Sequence, residues 1–427
     1  MRWSAFLFLA LILFSCKKDE DTVVPAIEIT APYDGIQYSV GDTMHITVEV
    51  ADDVELDELE VKLTDQNLVS VMPAAVLDVA GESRTLSFDY VLDDVTLASG
   101  QYYIHATVHD AARNSSKDFV SVNITEIPLE LKGVFAVTTA PGFVTLQCID
   151  TSWLATSYGT FPGDFTDLAV NSWWQQVTFT GSVNGLTRCF SIDGAHPGWT
   201  LNPFPSTGAY WGNVLARNRD WLINYRSDGV IKKMTWNASV SESWNANSGH
   251  FFRNFVYSGE KLYADMIDAP GTSRLLGVYV PGGGGAVQQT LLTADPVALL
   301  PRDETTIYIA CNQGGQGKLL IYDYDLNGTW EPVTLPAGEL LSAAAIDANT
   351  LLLAMDNGNI YTFTYSPVGV IAWNAVTAQH VRYDAAGGTV ITAEGTYIRQ
   401  YAYPQTTLLD QIPMSDTVRD LELWYNR

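Results

Sequence analysis

The chain has 427 residues, of which 47% are hydrophobic, 11% aromatic and only 17% charged. This composition is typical of folded globular domains, and the length has room for two or three of them. The formal net charge of −25 excludes nucleic acid as an expected partner, because binding to phosphates depends on Lys and Arg.

The N-terminal segment predicts a lipoprotein signal peptide over residues 1–15. Its apolar run, Ala5 to Phe14, is about ten residues long, whereas a membrane-spanning helix needs roughly 20. Leu13-Phe14-Ser15-Cys16 ends the run. This tetrad resembles the lipobox of bacterial lipoproteins, in which the cysteine is acylated and becomes the first mature residue.

A charged run, Lys17-Lys18-Asp19-Glu20-Asp21, follows the cysteine directly. It resembles the export signal that Bacteroidetes use for surface-exposed lipoproteins. The resemblance implies an acylated tether over residues 16–25 and attachment to outer-membrane lipid through Cys16. It also implies a location at the outer membrane, facing the cell exterior.

Residues 26–126 predict an Ig-like β-sandwich. Short segments of alternating apolar and polar residues recur here every 8–15 residues or so, with about seven strands in all. Gly100-Gln101-Tyr102 resembles the tyrosine corner of immunoglobulin folds. The segment is similar to the Ig-like modules that open many Bacteroidetes lipoproteins. The clearest alternating segments are Met44–Val50, Leu59–Leu63, Tyr102–Val108 and Phe119–Ile124.

The same segment is strongly acidic, with 19 Asp and Glu against 4 Lys and Arg. Hard oxygen ligands would suit Ca²⁺, but their spacing matches no EF-hand loop. We expect no cofactor and a solvated acidic surface, with Ca²⁺ as the alternative. The acids that could gather at one end are Asp52, Asp53, Glu55, Asp57, Glu58 and Asp110.

Residues 127–427 contain a loose repeat of about 42 residues, which with four short strands per unit indicates β-propeller blades. The last unit, Val418–Tyr425, stops after one strand, whereas Gly133–Asp164 lacks a clear first one. Together they predict one blade that joins both termini, giving seven blades. The first strands are predicted to begin near Asp167, Trp211, Phe251, Pro296, Leu340, Gln379 and Val418.

Three arginines, Arg253, Arg382 and Arg419, recur near the starts of these first strands. First strands line the channel of a propeller, so the arginines could form a positive ring that binds carboxylate or sulfate. In the alternative, each arginine pairs with a nearby acid such as Asp384 or Asp420. The other candidate ligand-binding residues near this end are Trp211, His250, His380 and Tyr383.

The sequence carries no recognisable catalytic or metal-binding motif. Cys148, Cys189 and Cys311 are widely spaced, which favours buried thiols. We expect a cell-surface binding or scaffolding module whose partner is an envelope protein or an acidic glycan. The alternative is a polysaccharide lyase or glycoside hydrolase, which would need two carboxylates about 5–10 Å apart. The acids near first strands that could contribute are Asp167, Asp384 and Asp420.

Overall fold

The computed structural model describes residues 21–183, 185–203 and 208–427. The predicted signal peptide and Cys16 lie outside these residues. The chain divides into two units, the first ending at Pro128 and the second spanning Leu129–Arg427. The described elements are β-strands apart from one 3-10 turn, Arg226–Asp228. None of the described residues belongs to a helix with the length and apolar character needed to cross a membrane.

The first unit consists of two sheets. Strand order is β1-β3-β6 in one and β2-β8-β7-β4-β5 in the other. All pairings are antiparallel except that of β2 with β8. The strands are β1 (Ala26–Ala31), β2 (Ile36–Ser39), β3 (Thr43–Ala51), β4 (Leu56–Thr64), β5 (Ala75–Asp78), β6 (Ser83–Val91), β7 (Gly100–Asp110) and β8 (Ser115–Thr125).

Both sheets contribute to a single hydrophobic core. Alternation along β3 buries Met44, Ile46 and Val48 on one face, as expected for a strand with one solvated face. Val61 of β4 and Ile104 of β7 belong to the same core cluster. The periodicity seen in the sequence therefore corresponds to the face that each strand buries.

Tyr102 forms the local bond expected of a tyrosine corner. Its hydroxyl donates a hydrogen bond to the carbonyl of Ala98, four residues upstream, at 2.9 Å. The ring is buried in the same core, so the bond satisfies a hydroxyl that would otherwise be shielded from water. Ile104 is also buried there, where antibody domains place a cysteine.

The described residues of the second unit form seven antiparallel four-stranded sheets, listed here with their strands in hydrogen-bonding order. The first three sheets are β36 (Val418–Tyr425), β9 (Leu131–Ala140), β10 (Phe143–Asp150) and β11 (Ala155–Pro162); β12 (Asp167–Asn171), β13 (Gln176–Thr180), β14 (Thr187–Ser191) and β15 (Thr200–Leu201); and β16 (Trp211–Arg217), β17 (Asp220–Tyr225), β18 (Val230–Met234) and β19 (Val240–Asn245).

The other four sheets follow in chain order. They are β20 (His250–Ser258), β21 (Lys261–Asp268), β22 (Arg274–Tyr279) and β23 (Gln288–Leu291); β24 (Asp295–Pro301), β25 (Thr306–Gln313), β26 (Gln316–Asp323) and β27 (Gly328–Trp330); β28 (Leu340–Ala345), β29 (Thr350–Met355), β30 (Asn359–Tyr365) and β31 (Val368–Asn374); and β32 (His380–Asp384), β33 (Thr389–Glu394), β34 (Tyr397–Ala402) and β35 (Leu408–Pro413).

The first strands of these sheets contact one another in an unbroken cycle that runs β36, β12, β16, β20, β24, β28, β32 and back to β36. Their seven starting points lie within one residue of those predicted from the repeat. The cycle closes because β36, the last strand of the chain, pairs with β9 from Val418 opposite Thr138 to Tyr425 opposite Leu131. Two segments that are distant in sequence thus form one sheet.

Each sheet is covered on both faces by its neighbours. Some second strands accordingly read as continuous apolar runs, as in Leu351–Ala354, where no side chain is exposed. Aromatic rings fill the space between sheets, and Tyr308 of β25 meets Phe363 of β30 edge-on at 5.8 Å. Because the runs have no polar face, their sequence indicates burial but does not identify the neighbouring sheet.

We predict that Leu421→Ala, in β36, lowers the free energy of unfolding of the second unit by about 2–5 kcal/mol, because it opens a cavity. Leu421 is fully buried against Val134 and Ile391. Urea unfolding followed by tryptophan fluorescence would measure this, since every tryptophan after Trp3 belongs to the second unit. Leu408→Ala is the control, because Leu408 is 45% exposed. Equal losses in both variants would contradict the prediction.

Candidate functional site

The three arginines predicted to form a ring have different environments. Arg253 Nη1 contacts Asp295 Oδ1 at 2.8 Å, and Arg274 Nη1 contacts the same oxygen at 2.6 Å. Arg382 also pairs with acids, whereas Arg419 does not. Arg253 and Arg382 therefore pair with nearby acids, as in the alternative considered for the ring, and a role of the three arginines in ligand binding stays a prediction.

Arg382 lies in a cluster of acids where the cycle of first strands closes. Its guanidinium contacts Glu422 Oε1 at 2.5 Å and Asp420 Oδ1 at 3.2 Å, and both acids belong to β36. Burial raises the pKa values of both carboxyl groups, against the opposing effect of the Arg382 charge. The two acids outnumber the one arginine, and Asp167 is a third acid in the same cluster.

Asp167 and Asp420 are hydrogen-bonded to each other through their side chains. Burial, followed by the charge of Asp420, raises the pKa of Asp167 well above its usual value. Two buried carboxyl groups in contact resist ionising together, and of this pair Asp167 holds its proton more tightly. Asp420 Oδ2 also accepts the backbone N–H of Leu168 at 3.3 Å, and Asp167 Oδ2 accepts that of Val214 at 2.8 Å. These acids connect neighbouring first strands.

His380 completes the cluster as a neutral side chain. Its Nδ1 lies 3.4 Å from Asp420 Oδ1. Burial lowers the pKa of His380 to about 4, and the Arg382 charge acts in the same direction. These two effects outweigh the attraction of the nearby acids, so His380 carries no charge at neutral pH. It supports the cluster and does not add a positive charge to a ligand site.

The acids do not form the opposed pair that a glycoside hydrolase would need. Asp167 and Asp420 are in hydrogen-bond contact, leaving no room for a sugar between them. Asp167 and Glu422 line a cavity of about 230 Å³ together with Asn213 and Asn254. Asp384 is buried elsewhere and accepts the N–H groups of its own turn and the hydroxyl of Tyr425.

The remaining predicted ligand-binding residues are not gathered at one opening. Trp211 is 1% exposed and packs edge-on against Tyr225 at 4.8 Å, so its ring lies in the core, and its role in ligand binding stays a prediction. Tyr383 is half-buried and meets Tyr403 edge-on at 5.6 Å. His250 is half-buried, with Nδ1 at 3.4 Å from the carbonyl of Ser248. The Trp211 ring, at the start of a first strand, fills core space between neighbouring sheets.

Arg419 instead lines an open cleft of about 830 Å³ with Arg188, the second residue of β14. We call it the Arg188–Arg419 cleft. Neither guanidinium takes part in an ion pair among the described residues, and Arg419 Nε donates to Thr139 Oγ1 at 3.0 Å. Arg188 was not predicted, because the repeat analysis considered first strands and Arg188 lies on a third. Other lining residues are Phe143, Pro162, Asp164 and Phe165.

An aromatic cluster lies at the other ends of two neighbouring sheets. We call it the aromatic end: Trp173, Trp174, His196, Trp199 and Trp236. The His196 ring lies edge-on to Trp174 at 4.8 Å and to Trp236 at 5.3 Å. All five side chains are half-buried. The analysis of the sequence missed this cluster, which the turns of separate hairpins bring together.

Acidic side chains gather in the first unit, though only partly as predicted. Carboxylate oxygens of Asp21, Asp52 and Asp53 lie within 4.8 Å of one another. Asp110 is instead buried and bonds to Asn114. Asp52 Oδ2 accepts the N–H groups of Val54 and Glu55, which is an ordinary turn arrangement. Ca²⁺ takes about six to eight oxygen ligands, so three carboxylates alone assign no ion.

The three described cysteines, Cys148, Cys189 and Cys311, are free and buried, as predicted. Burial raises the pKa of Cys148 to about 11 and those of Cys189 and Cys311 to about 12. At neutral pH they remain protonated thiols, which are poor nucleophiles and poor metal ligands. They serve as small apolar side chains between sheets.

Comparison with known proteins identifies one family. A model described as a bacterial Ig domain matches residues 25–106. No curated protein matches the chain. Similar solved structures include the nidogen/laminin complex, at 9% identity and a TM-score of 0.44, covering 69% of this chain and 99% of that one. The WD40 β-propeller domain of Doa1 has 14% identity and a TM-score of 0.46, covering 61% and 85%. The Neurospora crassa Pan2 WD40 domain has 10% identity and a TM-score of 0.46, covering 61% and 81%.

We predict that Arg382→Met lowers the free energy of unfolding by about 3–5 kcal/mol at pH 7, because buried carboxylates lose their counter-charge. The loss should shrink at pH 5. The pKa values of Asp420 and Glu422 are raised in the folded state, which therefore binds more protons and loses stability as pH rises through them.

Urea unfolding at both pH values would test this prediction. Arg419→Met is the control, because Arg419 is exposed and has no ion pair among the described residues. The control should change stability by less than about 0.5 kcal/mol. A loss for Arg382→Met that is the same at pH 5 and pH 7 would contradict the electrostatic explanation.

Proposed function

We propose that this protein is a lipid-anchored module of the outer cell surface that binds an envelope protein. In this proposal the first unit is an Ig-like sandwich and the second a seven-bladed propeller. Support for the sandwich comes from two sheets that share one core, and from the Ig-domain match. Support for the propeller comes from seven four-stranded sheets whose first strands contact in a cycle.

The observation that carries the binding function is the aromatic end. Tryptophan and arginine are enriched among the residues that dominate protein interfaces. Here Trp173 and Trp174 follow β12, and the Arg219 guanidinium lies over the Trp173 ring at 4.4 Å. His196 and Trp199 come from the loop before β15, and Trp236 from the turn after β18. A partner would therefore meet several anchored rings at once.

The aromatic end is suited to desolvation. Trp174 Nε1 donates to the carbonyl of Arg219 at 2.8 Å, and Trp199 Nε1 donates to that of Trp236 at 2.9 Å. A partner that covers Trp174 and Trp199 leaves neither of these two indole N–H groups without an acceptor, so burying them carries no penalty for an unsatisfied donor. The same bonds hold the rings in place before binding, which reduces the entropy lost on association.

We predict that Trp174→Ala weakens binding to the partner about tenfold or more, as for an interface hot spot. Cross-linking on intact cells, followed by affinity capture and mass spectrometry, would identify the partner and compare variants. Trp330→Ala is the matched control, because Trp330 is 38% exposed and belongs to a different sheet. Unchanged capture with Trp174→Ala, or no reproducible partner, would contradict the proposal.

The lipid anchor has its own test. We predict that Cys16→Ala abolishes incorporation of a clickable fatty acid and releases the protein from the membrane fraction, because acyl chains supply the attachment. Protease treatment of intact cells should degrade the parent protein but leave periplasmic markers intact. Membrane retention of Cys16→Ala, or protection of the parent protein from protease, would contradict anchoring at the cell surface.

A further inference from the structure

We propose that the Arg188–Arg419 cleft binds an oligosaccharide that carries carboxylate or sulfate groups. This site is separate from the aromatic end. Strand β12 starts at Asp167, beside Asp420, and ends at Asn171, two residues before Trp173. Arg419 precedes Asp420, so the cleft and the aromatic end lie at opposite ends of the first strands. A substitution in one site can therefore abolish binding there while the other site still binds its ligand.

Charge is the first argument for an anionic ligand. The chain carries a net charge of −25, and the arginines of its second unit commonly face a carboxylate, as Arg253, Arg382 and Arg399 do. Arg188 and Arg419 have no such partner among the described residues, yet both line the same cleft. Two uncompensated guanidinium groups at one concave site favour a ligand that supplies the missing negative charge.

The one acid in the cleft is engaged by the backbone. The carboxylate of Asp164 accepts the N–H groups of Ser182, Val183 and Gly185 at 2.7, 2.8 and 2.7 Å. These bonds stabilise its charge locally. The guanidinium groups of Arg188 and Arg419 supply charged hydrogen-bond donors to a ligand in the cleft.

Both arginines are held by rigid elements. Arg188 lies on β14, with its guanidinium over the Phe161 ring at 4.9 Å from the centroid. Arg419 lies on β36 and donates to Thr139 of β9 at 3.0 Å. Side chains fixed on strands lose little freedom when they bind, so the site is prepared for its ligand.

The shape and walls of the cleft favour a sugar. Its volume of about 830 Å³ falls among sites for compact organic ligands. Phe143 is 49% exposed at the cleft, and Phe165 and Pro162 add further apolar surface. Such walls can cover the C–H face of a pyranose ring while a guanidinium fork holds its carboxylate or sulfate.

The test is calorimetric titration of the full mature protein at low salt. The probes are tetragalacturonate for carboxylates, a chondroitin sulfate tetrasaccharide for sulfates, and methyl-esterified tetragalacturonate as the neutral analogue. Binding of either acidic probe and not of the neutral one is expected. Arg188→Gln and Arg419→Gln should each weaken binding about tenfold, the value of one charge-assisted hydrogen bond.

Arg84→Gln in the first unit is the matched control and should bind like the parent protein, because Arg84 is exposed like Arg419 and has no ion pair within the described part of the chain. Melting temperatures of all variants would verify folding. The proposal is overturned if no acidic probe binds at millimolar concentration, or if the neutral analogue binds equally well. Unchanged affinity of the folded Arg188→Gln/Arg419→Gln double variant would also overturn it.

Discussion

The second unit depends on the backbone pairing of β36 with β9, which joins the end of the chain to a strand near residue 138. Contact between Arg419 and Thr139 spans 280 positions of sequence. Without β36, β9 would present an unpaired edge, and β32 and β12 would lose the strand that lies between them. The pairing of β36 with β9 thus satisfies backbone hydrogen-bonding groups and buries apolar surface at the same time. The seven sheets complete their cycle of contacts only when this pairing is formed.

Closure also explains where the buried charges lie. Asp420 and Glu422 enter the unit with the last strand, and their carboxylates meet Arg382 of β32 and the carboxyl of Asp167 of β12. Each contact joins two different strands of the cycle. Because buried polar groups tolerate poor geometry badly, the cluster favours one register of β36 over others. The arginine that the sequence suggested for a ligand is used here to hold the fold together.

The rigid cycle leaves function to the ends of its strands. The aromatic end collects rings from several hairpin turns, and the Arg188–Arg419 cleft collects two guanidinium groups from strands of adjacent sheets. Neither surface needs a change in the core, since turns and strand ends vary without disturbing buried positions. The two surfaces differ in chemistry, one aromatic and nearly neutral, the other positive in a negatively charged protein, so they suit different partners.

The sequence by itself determined the all-β class and the starts of the seven first strands, because strand alternation, apolar runs and turn residues are local signals. It also indicated that Cys148, Cys189 and Cys311 are buried. It could not decide which arginine is free. Arg253, Arg382 and Arg419 look alike in the repeat, and the acids that pair with Arg253 and Arg382 come from other sheets. Nor could it join Arg188 to Arg419, or Trp174 to Trp236, since those distances are set by how the sheets pack. Tertiary structure decided the sites because charge pairing and ring contacts depend on neighbours that are remote in the chain.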